Sequence, residues 1–397
     1  MITPRNDGGK TSFCCRHFYF ENAPPSFQSA YLYIRLMASS SFPFFTRTLL
    51  DWYEPERRPL AWKHITDPYL IWLSEIILQQ TRAEQGAPYF QKFSECYPTV
   101  SDLARAAEDE VMKMWEGLGY YSRARNLHAA AKFIHTEYGG VFPDDYERIR
   151  ALKGVGPYTA AAIASFAFQL PYAVVDGNVY RLLSRFFDDA TPIDISQGIK
   201  HFAGLAQELL PKDSAATYNQ AMMDMGATIC TPKKPLCEAC PLNRECQGLA
   251  NGTITERPVK VKKLKRSTRY FNYLVVQHPD FRMIEKRTAK DIWRNLYQFP
   301  LVETKASLDT LSQLLEEQSW PDWLLAENLQ LIRKLGPRKQ ELTHQRIIAD
   351  FWEFKYIGNR PDRLPEGINL IKPENCSKFA FPKVISWYFD DNSLYLF

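Results

Sequence analysis

The sequence has no run of eighteen consecutive apolar residues in its 397 positions, which argues against a membrane-spanning helix and a membrane partner. Residues 1–36 lack the charged-then-apolar pattern of a secretory signal peptide. The net charge is also small, at +4, because 49 lysines and arginines nearly balance 45 aspartates and glutamates. A charge this small does not by itself predict nucleic-acid binding, which only local patches and motifs could then indicate.

Length and composition predict several domains, because the chain is too long for one ordinary core and has the 45% hydrophobic content of globular proteins. Residues 1–36 show no clear period, so we predict a disordered extension or a start at Met37. Residues 37–250 are predicted to form an all-α domain. Apolar residues recur there at helical spacing, as in the stretch 69–85, and no strand-like alternation interrupts them.

The last third of the chain has a different character. Residues 251–269 contain a proline and a basic run and are predicted to form a linker, whose charge either faces DNA or is merely solvated. Residues 270–397 contain short aromatic and β-branched runs, including 378–386, that predict strands. One helix is predicted at 307–318, so this part is expected to be a separate α+β domain.

Four of the eight cysteines lie within seventeen residues, while the others are scattered. The cluster is Cys-x6-Cys-x2-Cys-x5-Cys and comprises Cys230, Cys237, Cys240 and Cys246. A cluster beside isolated thiols fits a reducing compartment and a metal site better than disulfides. Zinc and iron–sulfur centres both accept four thiolates, so the ligand type leaves both possible. The uneven spacing nevertheless differs from paired CxxC knuckles.

A glycine-rich turn lies between two predicted helices. Gly154 and Gly156 permit a tight turn with exposed N–H groups, and Pro157 suits the first position of a helix. A helix N-terminus with free amides binds anions. We predict that the anion here is a DNA phosphate and that Gly154, Val155 and Gly156 hold it. A Gly-x-Gly pattern alone is more often just a turn. Asp176 follows further along, before Gly-Asn, where an aspartate usually forms a turn or helix cap.

This order, a hairpin between helices near 148–168 followed by Asp176, resembles the helix-hairpin-helix DNA glycosylases related to endonuclease III. The cysteine spacing resembles the [4Fe–4S] loop of that superfamily, at 230–246, so the resemblance implies an iron–sulfur cluster in preference to zinc. In endonuclease III-like lyases a Schiff-base lysine occupies the position of Tyr158, whereas Lys153 lies before the hairpin. The resemblance therefore implies an enzyme without lyase activity.

Two further blocks, 67–81 and 117–127, resemble the MutY family of adenine DNA glycosylases, specifically over 43–250 and more loosely beyond. One departure is Ala61-Trp62-Lys63, where the family usually has Pro-Trp-Arg. The resemblance implies a contact with DNA or a base at this position. Lys63 keeps the positive charge for it but lacks the two parallel N–H donors of an arginine guanidinium. The run 281–300 is similar to the Nudix-like domain of the family. Its acidic magnesium-binding box is missing, so pyrophosphate hydrolysis is not expected.

Breaking a glycosidic bond to adenine requires a proton on the leaving base and stabilisation of a cationic sugar. Glu75 lies among apolar residues, which would raise the pKa of its carboxyl and suit a general acid. An ordinary exposed helical glutamate is the alternative. The resemblance implies that Glu75 protonates adenine N7, that Asp176 stays ionised beside the sugar, and that Tyr158 and Asn178 support Asp176.

Adenine in a duplex must be flipped out before it can react. The resemblance implies that Gln80 and Tyr120 enter the base stack, with Leu118 as a further DNA contact, although Tyr120 could instead be a core aromatic. Thr343 and His344 stand where many bacterial relatives have the Ser-His that reads 8-oxoguanine. Thr343 retains the hydroxyl, Leu342 replaces an aromatic ring, and a plain strand-edge pair is the alternative.

The sequence thus predicts a multi-domain protein with an all-α helix-hairpin-helix glycosylase domain and a C-terminal α+β Nudix-like domain. Its predicted function is hydrolysis of adenine mispaired with 8-oxoguanine or guanine, in base-excision repair. We expect a monomer that acts on double-stranded DNA in the cytoplasm, associated with the nucleoid. The alternatives are an endonuclease III-type pyrimidine-lesion glycosylase and lyase, and a non-catalytic iron–sulfur DNA-binding protein.

Overall fold

The computed structural model describes residues 42–54, 58–262, 265–361 and 363–391. The predicted extension at 1–36 and the alternative start at Met37 lie outside the described residues.

The described residues before the first strand form helices joined by turns and by two longer segments, before Pro68 and between Thr228 and Gln247. Twelve α-helices occur among them: α1 (42–52), α2 (Pro68–Leu78), α3 (Ala83–Cys96), α4 (Val100–Arg105), α5 (Glu108–Met114), α6 (Ser122–Glu137), α7 (Tyr146–Ala151), α8 (Pro157–Phe168), α9 (Gly177–Phe186), α10 (Ser196–Leu209), α11 (Ala215–Thr228) and α12 (Gln247–Ala250). None of the described helices is long and apolar enough to cross a membrane.

The stretch 69–85, predicted as one helix, is divided into α2 and α3. The break lies at Gln80, whose backbone has a φ of +56°. An l-residue rarely adopts this left-handed conformation, and it cannot continue a right-handed helix. Residues 79–85 are almost entirely polar, so the hydrophobic pattern gives no signal for where the first helix ends.

Two apolar cores hold the helices together. Buried aromatic residues such as Trp72 and Trp115 pack between α2, α6 and α8 in the first core. Phe45, Phe186 and Phe202 join α1, α9 and α10 in the second. Burying such side chains supplies the main favourable free energy of folding, about 25 cal/mol per Å² of apolar surface.

The C-terminal part is built on one mixed sheet. Its strands are β1 (Ser267–His278), β2 (Phe281–Lys286), β3 (Tyr297–Gln298), β4 (Leu301–Thr304), β5 (Leu329–Glu341), β6 (Gln345–Tyr356) and β7 (Ile368–Ile371). They follow the order β3-β2-β1-β6-β5, while β4 pairs with β1 and β7 with β2. Strands β1 and β6 are parallel, with Tyr273 opposite Phe351.

Two helices lie beside the sheet, and one of them replaces a predicted strand. The prediction of a strand at 378–386 is wrong, because α14 (Lys383–Asp391) begins directly after Pro382. Val384, Ile385 and Tyr388 are buried there at helical spacing. The predicted helix at 307–318 is present but shorter, as α13 (Leu311–Leu315).

Charged and polar contacts join the helical part to the sheet. Lys286 Nζ lies 2.6 Å from Asp109 Oδ1, and the Tyr297 hydroxyl donates to Asp109 Oδ2 at 2.9 Å. The Phe381 N–H donates to Glu116 Oε1 at 2.8 Å. These contacts dock β2, β3 and the residue before Pro382 on α5 and the segment that follows it.

Candidate active site

Glu75 is nearly buried in the middle of α2, with 9% of its surface exposed. Asp67 starts this helix by accepting a hydrogen bond from the Leu70 N–H at 3.0 Å, and Pro68 occupies the first helical position. The pKa of Glu75 is raised to about 7, mainly because the carboxyl is buried; the hydroxyl of Tyr158 lowers this pKa, and the negative charge of Asp176 raises it. The exposed-glutamate alternative is therefore wrong.

Glu75 faces a cavity of about 460 Å³ between α2, α11 and the segment before α2. Aromatic and aliphatic side chains form much of its wall. The polar side chains of the wall, apart from Glu75, include those of Arg58, Lys63, His64, Thr217 and Gln220. A mainly apolar cavity with a few convergent polar groups is typical of small-molecule binding sites, and this one is large enough for a purine base.

Tyr158 holds the Glu75 carboxyl from the first turn of α8. Its hydroxyl lies within interaction range of the Glu75 carboxyl and lowers the pKa of that group, and burial raises the pKa of the phenol well above its usual value. Tyr158 therefore remains a neutral donor to the carboxylate form of Glu75.

Asp176 is the N-cap of α9. Its Oδ1 accepts hydrogen bonds from the N–H groups of Asn178 at 2.9 Å and Val179 at 2.8 Å, and its Oδ2 accepts one from Asn178 Nδ2 at 2.7 Å. The pKa of Asp176 is raised overall, because burial raises it by more than these donors and the Arg181 charge lower it. The carboxylate is thus held at the positive end of a helix and within electrostatic range of Glu75.

A buried arginine, which the sequence did not indicate, fixes the Asn178 amide. Arg181 Nη2 donates to Asn178 Oδ1 at 2.8 Å, and its Nε donates to the Cys230 carbonyl at 2.7 Å. Gly226 packs against the same amide residue, since a Cβ built on it would lie 2.7 Å from Asn178 Cβ. The support of Asp176 therefore extends to the start of the cysteine loop.

All four clustered cysteines are free thiols that line one small cavity. Burial raises the pKa of Cys240 to about 11, and the charges of the other three thiols contribute to this rise. Arg185 approaches the group, with Nη1 3.4 Å from Cys230 Sγ. Among the described residues, no three His, Cys, Asp or Glu side chains are arranged to hold a single metal ion. Four thiols around one cavity match the ligand number that both zinc and iron–sulfur centres use.

The glycine turn before α8 has the shape expected of an anion site. Gly154 has a φ of +82°, and a Cβ there would lie 2.7 Å from Asn126 Cβ. Gly156 caps α8 without a side chain, and a Cβ on it would meet nothing within 4 Å. Val155, also predicted to bind DNA, has a buried side chain and donates its N–H to the Leu152 carbonyl at 3.0 Å. Val155 thus shapes the turn.

Gln80 and Tyr120 border a cavity of about 240 Å³ together with Gly154. Tyr120 is 45% exposed, so the core-aromatic alternative fails for this residue, whereas the neighbouring Tyr121 is buried. Leu118 is only 5% exposed and borders the next cavity along the surface. The structure therefore brings the glycine turn and both predicted wedge residues to one surface.

That next cavity, of about 500 Å³, lies between the Tyr120 segment and the turn between β5 and β6. Thr343 and His344 line it. They belong to the turn itself, because β5 ends at Glu341 and β6 begins at Gln345, so they are not a strand-edge pair. The Thr343 hydroxyl is hydrogen-bonded to the Tyr120 hydroxyl across the cavity.

Lys63 differs from its prediction as a DNA contact. Its side chain is only 2% exposed, and its Nζ lies 2.6 Å from Asp224 Oδ2 and 3.2 Å from the Arg58 carbonyl. Arg58 Nη1 contacts the other oxygen of Asp224 at 3.2 Å. Because Lys63 is buried, it is poorly placed to contact the DNA backbone. A contact between Lys63 and a base in the Glu75 cavity is compatible with this position.

Comparisons with known proteins agree with this geometry. Residues 73–200 match the family model of the HhH-GPD superfamily base excision DNA repair proteins, and residues 272–390 match the NUDIX domain. A solved thermostable thymine-DNA glycosylase is 30% identical with a TM-score of 0.50, covering 54% of this chain and 99% of that chain. The fold and site thus define a base-excision repair protein of the helix-hairpin-helix class.

Curated relatives identify the family within that class. The adenine DNA glycosylase of Buchnera aphidicola subsp. Acyrthosiphon pisum is 34% identical over 262 residues, which are 66% of this chain and 75% of the relative. That of Rattus norvegicus is 40% identical over 226 residues, covering 54% of this chain and 44% of the relative. The chain belongs to the adenine DNA glycosylase family.

Proposed function

We propose that this enzyme hydrolyses the N-glycosidic bond of adenine mispaired with 8-oxoguanine, or with guanine, in double-stranded DNA. The observation that carries the proposal is a pair of interacting carboxyls, of which Glu75 lines a cavity of base size. Glu75 has a pKa of about 7 and suits proton donation, while Asp176 is held by three hydrogen bonds at a helix N-terminus. Two carboxyls in such different environments match the acid and the stabilising anion of glycoside cleavage.

In the proposed reaction, Glu75 transfers its proton to N7 of an adenine in the cavity. The C1′–N9 bond then breaks, and its electron pair leaves with the base. The Asp176 carboxylate stabilises the positive charge left on the sugar. Water adds to C1′, and its proton returns to the Glu75 carboxylate, which restores the starting state. Tyr158 orients Glu75, and Asn178 orients Asp176.

We propose that the strand is left intact, because the residues of the site offer no suitable amine. The position of a lyase lysine is occupied by Tyr158, whose phenol cannot form a Schiff base. Lys63, the lysine of the cavity wall, is buried and paired with Asp224 at 2.6 Å. This arrangement disfavours the pyrimidine-lesion lyase alternative.

We propose that Gln80 and Tyr120 enter the stack when adenine is extruded, while the amides at Gly154 and Gly156 hold a phosphate. Gln80 and Tyr120 are exposed and border the same cavity as Gly154. The 8-oxoguanine would lie in the neighbouring cavity against Thr343 and His344. The Thr343 hydroxyl can exchange its bond with Tyr120 for one to the lesion.

Cys230, Cys237, Cys240 and Cys246 would hold a [4Fe–4S] cluster. The bound cluster would supply four metal–thiolate bonds that close the loop 230–246, which carries the exposed Lys233, Lys234 and Arg244 toward DNA phosphates. We expect the enzyme to act as a monomer.

The test uses purified protein and a labelled duplex with one adenine opposite 8-oxoguanine, each sample being divided between alkali and no alkali. Breakage only after alkali, strongest opposite 8-oxoguanine and weak opposite thymine, is the expected result. Breakage without alkali would overturn the monofunctional assignment. No adenine release by protein with intact cluster absorbance would overturn the proposed reaction.

A further inference from the structure

Arg123, in the first turn of α6, is a buried cation bonded to neutral oxygens. It is 8% exposed, and burial lowers the pKa of its guanidinium to about 10, so it is charged at neutral pH. Nη1 donates to the end of α2, at the carbonyls of Ile76 (2.9 Å), Ile77 (2.8 Å) and Gln79 (2.6 Å). The C-terminal end of a helix is the negative end of its dipole, and its last carbonyls have no partners within the helix. A guanidinium is therefore well placed there.

The other half of the same guanidinium reaches the segment that carries Tyr120. Nη2 donates to the carbonyls of Leu118 at 3.2 Å and Gly119 at 3.3 Å, and to the Thr81 hydroxyl at 3.3 Å. The guanidinium carbon also lies 5.7 Å from the centre of the Tyr120 ring. One side chain therefore connects the two segments that flank the predicted DNA-entering residues.

Both of those residues have a left-handed backbone, with φ of +56° at Gln80 and +46° at Tyr120. Such conformations cost a non-glycine residue on the order of 1 kcal/mol or more, and persist only where the surroundings hold them. The bonds of Arg123 supply this restraint, since they lie on both sides of Gln80 and immediately before Tyr120.

We propose that Arg123 is a positioning residue for base extrusion, which fixes Gln80 and Tyr120 as one unit so that both enter the stack together. This inference rests on the proposed function, from which the roles of Gln80 and Tyr120 are taken. A lysine would keep the charge, but its single ammonium cannot span both segments as the planar fork does.

The test places 2-aminopurine beside the target adenine, so that fluorescence reports unstacking, and measures adenine release in single turnovers. Arg123→Lys is expected to slow unstacking by about tenfold to hundredfold, because small misplacements of a positioned group have effects of this size. The dissociation constant for duplex DNA should change little. Lys132→Met, an exposed change on the same helix, is the matched control and should behave as the wild type.

A double-mutant cycle separates positioning from general destabilisation. In a Gln80→Ala/Tyr120→Ala background, Arg123→Lys should slow unstacking little further, because the residues through which it acts are gone. Fully additive losses would overturn the proposal. If the Gln80→Ala/Tyr120→Ala variant itself unstacks DNA normally, the proposed roles of those two residues fail. If that variant is slow but Arg123→Lys is not, only the role of Arg123 fails.

If Arg123→Lys does not fold, native-state hydrogen exchange of the unmodified protein decides the matter. Residues 79–82 and 116–121 should open with one common free energy, because one guanidinium restrains both segments. Independent opening of the two segments would overturn the proposal.

Discussion

The Glu75 carboxyl combines a buried position with proximity to a second carboxyl. A general acid must carry a proton before it can donate one. The pKa of about 7 means that part of the Glu75 population carries this proton near neutral pH. The rate of adenine release should therefore fall about tenfold per pH unit above pH 7, as the required acid form is lost. Single-turnover rates between pH 6 and 9 would show this decline. A flat profile over that range would exclude Glu75 as the proton donor.

Replacing Glu75 by glutamine should leave duplex binding largely intact and slow adenine release by about 10² to 10⁴, the usual contribution of a general acid. The remaining activity should lose its dependence on pH above 7. Binding by titration and release under single-turnover conditions are the measurements. The exposed Glu137→Gln serves as the control. Near-normal release by Glu75→Gln would remove the proposed mechanism.

The same substitution should stabilise the fold above neutral pH. The folded pKa is about 7 against an ordinary 4.5, so the native state binds the proton more tightly than the unfolded state. Stability linked to Glu75 is therefore complete below pH 4.5 and is lost as the pH rises through 7. At pH 8 the gain from Glu75→Gln should approach about 3 kcal/mol. Urea unfolding of both proteins at pH 5 and pH 8 measures this gain. An equal change in the free energy of unfolding at the two pH values would contradict the prediction.

Gly226 lies so close to Asn178 that even a methyl group should disturb the site. A Cβ would approach Asn178 Cβ and its carbonyl oxygen to 2.7 Å. Gly226→Ala should destabilise the protein by about 1–3 kcal/mol and displace the amide that holds Asp176. Melting and single-turnover release would be measured together. Gly204→Ala, in α10 with nothing within 4 Å, is the control and should if anything stabilise its helix.

At the level of elements, the two glycines before α8 differ in how well each position could accept a side chain. Gly156→Ala should fold normally, since its φ is −89° and its Cβ would point into open space, yet it should weaken DNA binding by obstructing the proposed phosphate. Gly154→Ala should instead lower stability by about 1–2 kcal/mol, through its positive φ and the contact with Asn126. Melting and binding titrations on both variants test this contrast. Destabilisation by Gly156→Ala alone would refute it.

How far the sequence predicted these elements depends on the range of the interactions concerned. Local signals, such as Pro157 at a helix start and the cap at Asp176, indicated α8 and α9 well. The break at Gln80 has no local signature, and the Gln79 carbonyl beside it bonds to the buried guanidinium of Arg123, which lies 44 positions away. Arg181 lies only three residues from Asn178, but its bond to the Cys230 carbonyl spans 49 positions and has no local signature.

At the scale of the whole molecule, the proposed reading of 8-oxoguanine depends on how the sheet docks on the helices. Tyr120 belongs to one part and Thr343 to the other, and their hydroxyls are hydrogen-bonded. Asp109 anchors the docking through Lys286 at 2.6 Å and Tyr297 at 2.9 Å. The cavity proposed for the lesion therefore depends on contacts beyond the residues that line it.

Asp109→Ala should therefore reduce discrimination between 8-oxoguanine and guanine more than it reduces the rate on an adenine–guanine mispair. The variant removes two bonds to a carboxylate whose side chain is 45% exposed, so solvent screening keeps the loss below the roughly 1.5–3 kcal/mol that a shielded charged hydrogen bond contributes. The docking contacts that remain, such as Glu116 with Phe381, should preserve the fold. Single-turnover release from both mispairs gives the ratio, with the exposed Glu95→Ala as control. An equal loss on both mispairs would mean that docking supports catalysis in general and does not select the opposite base.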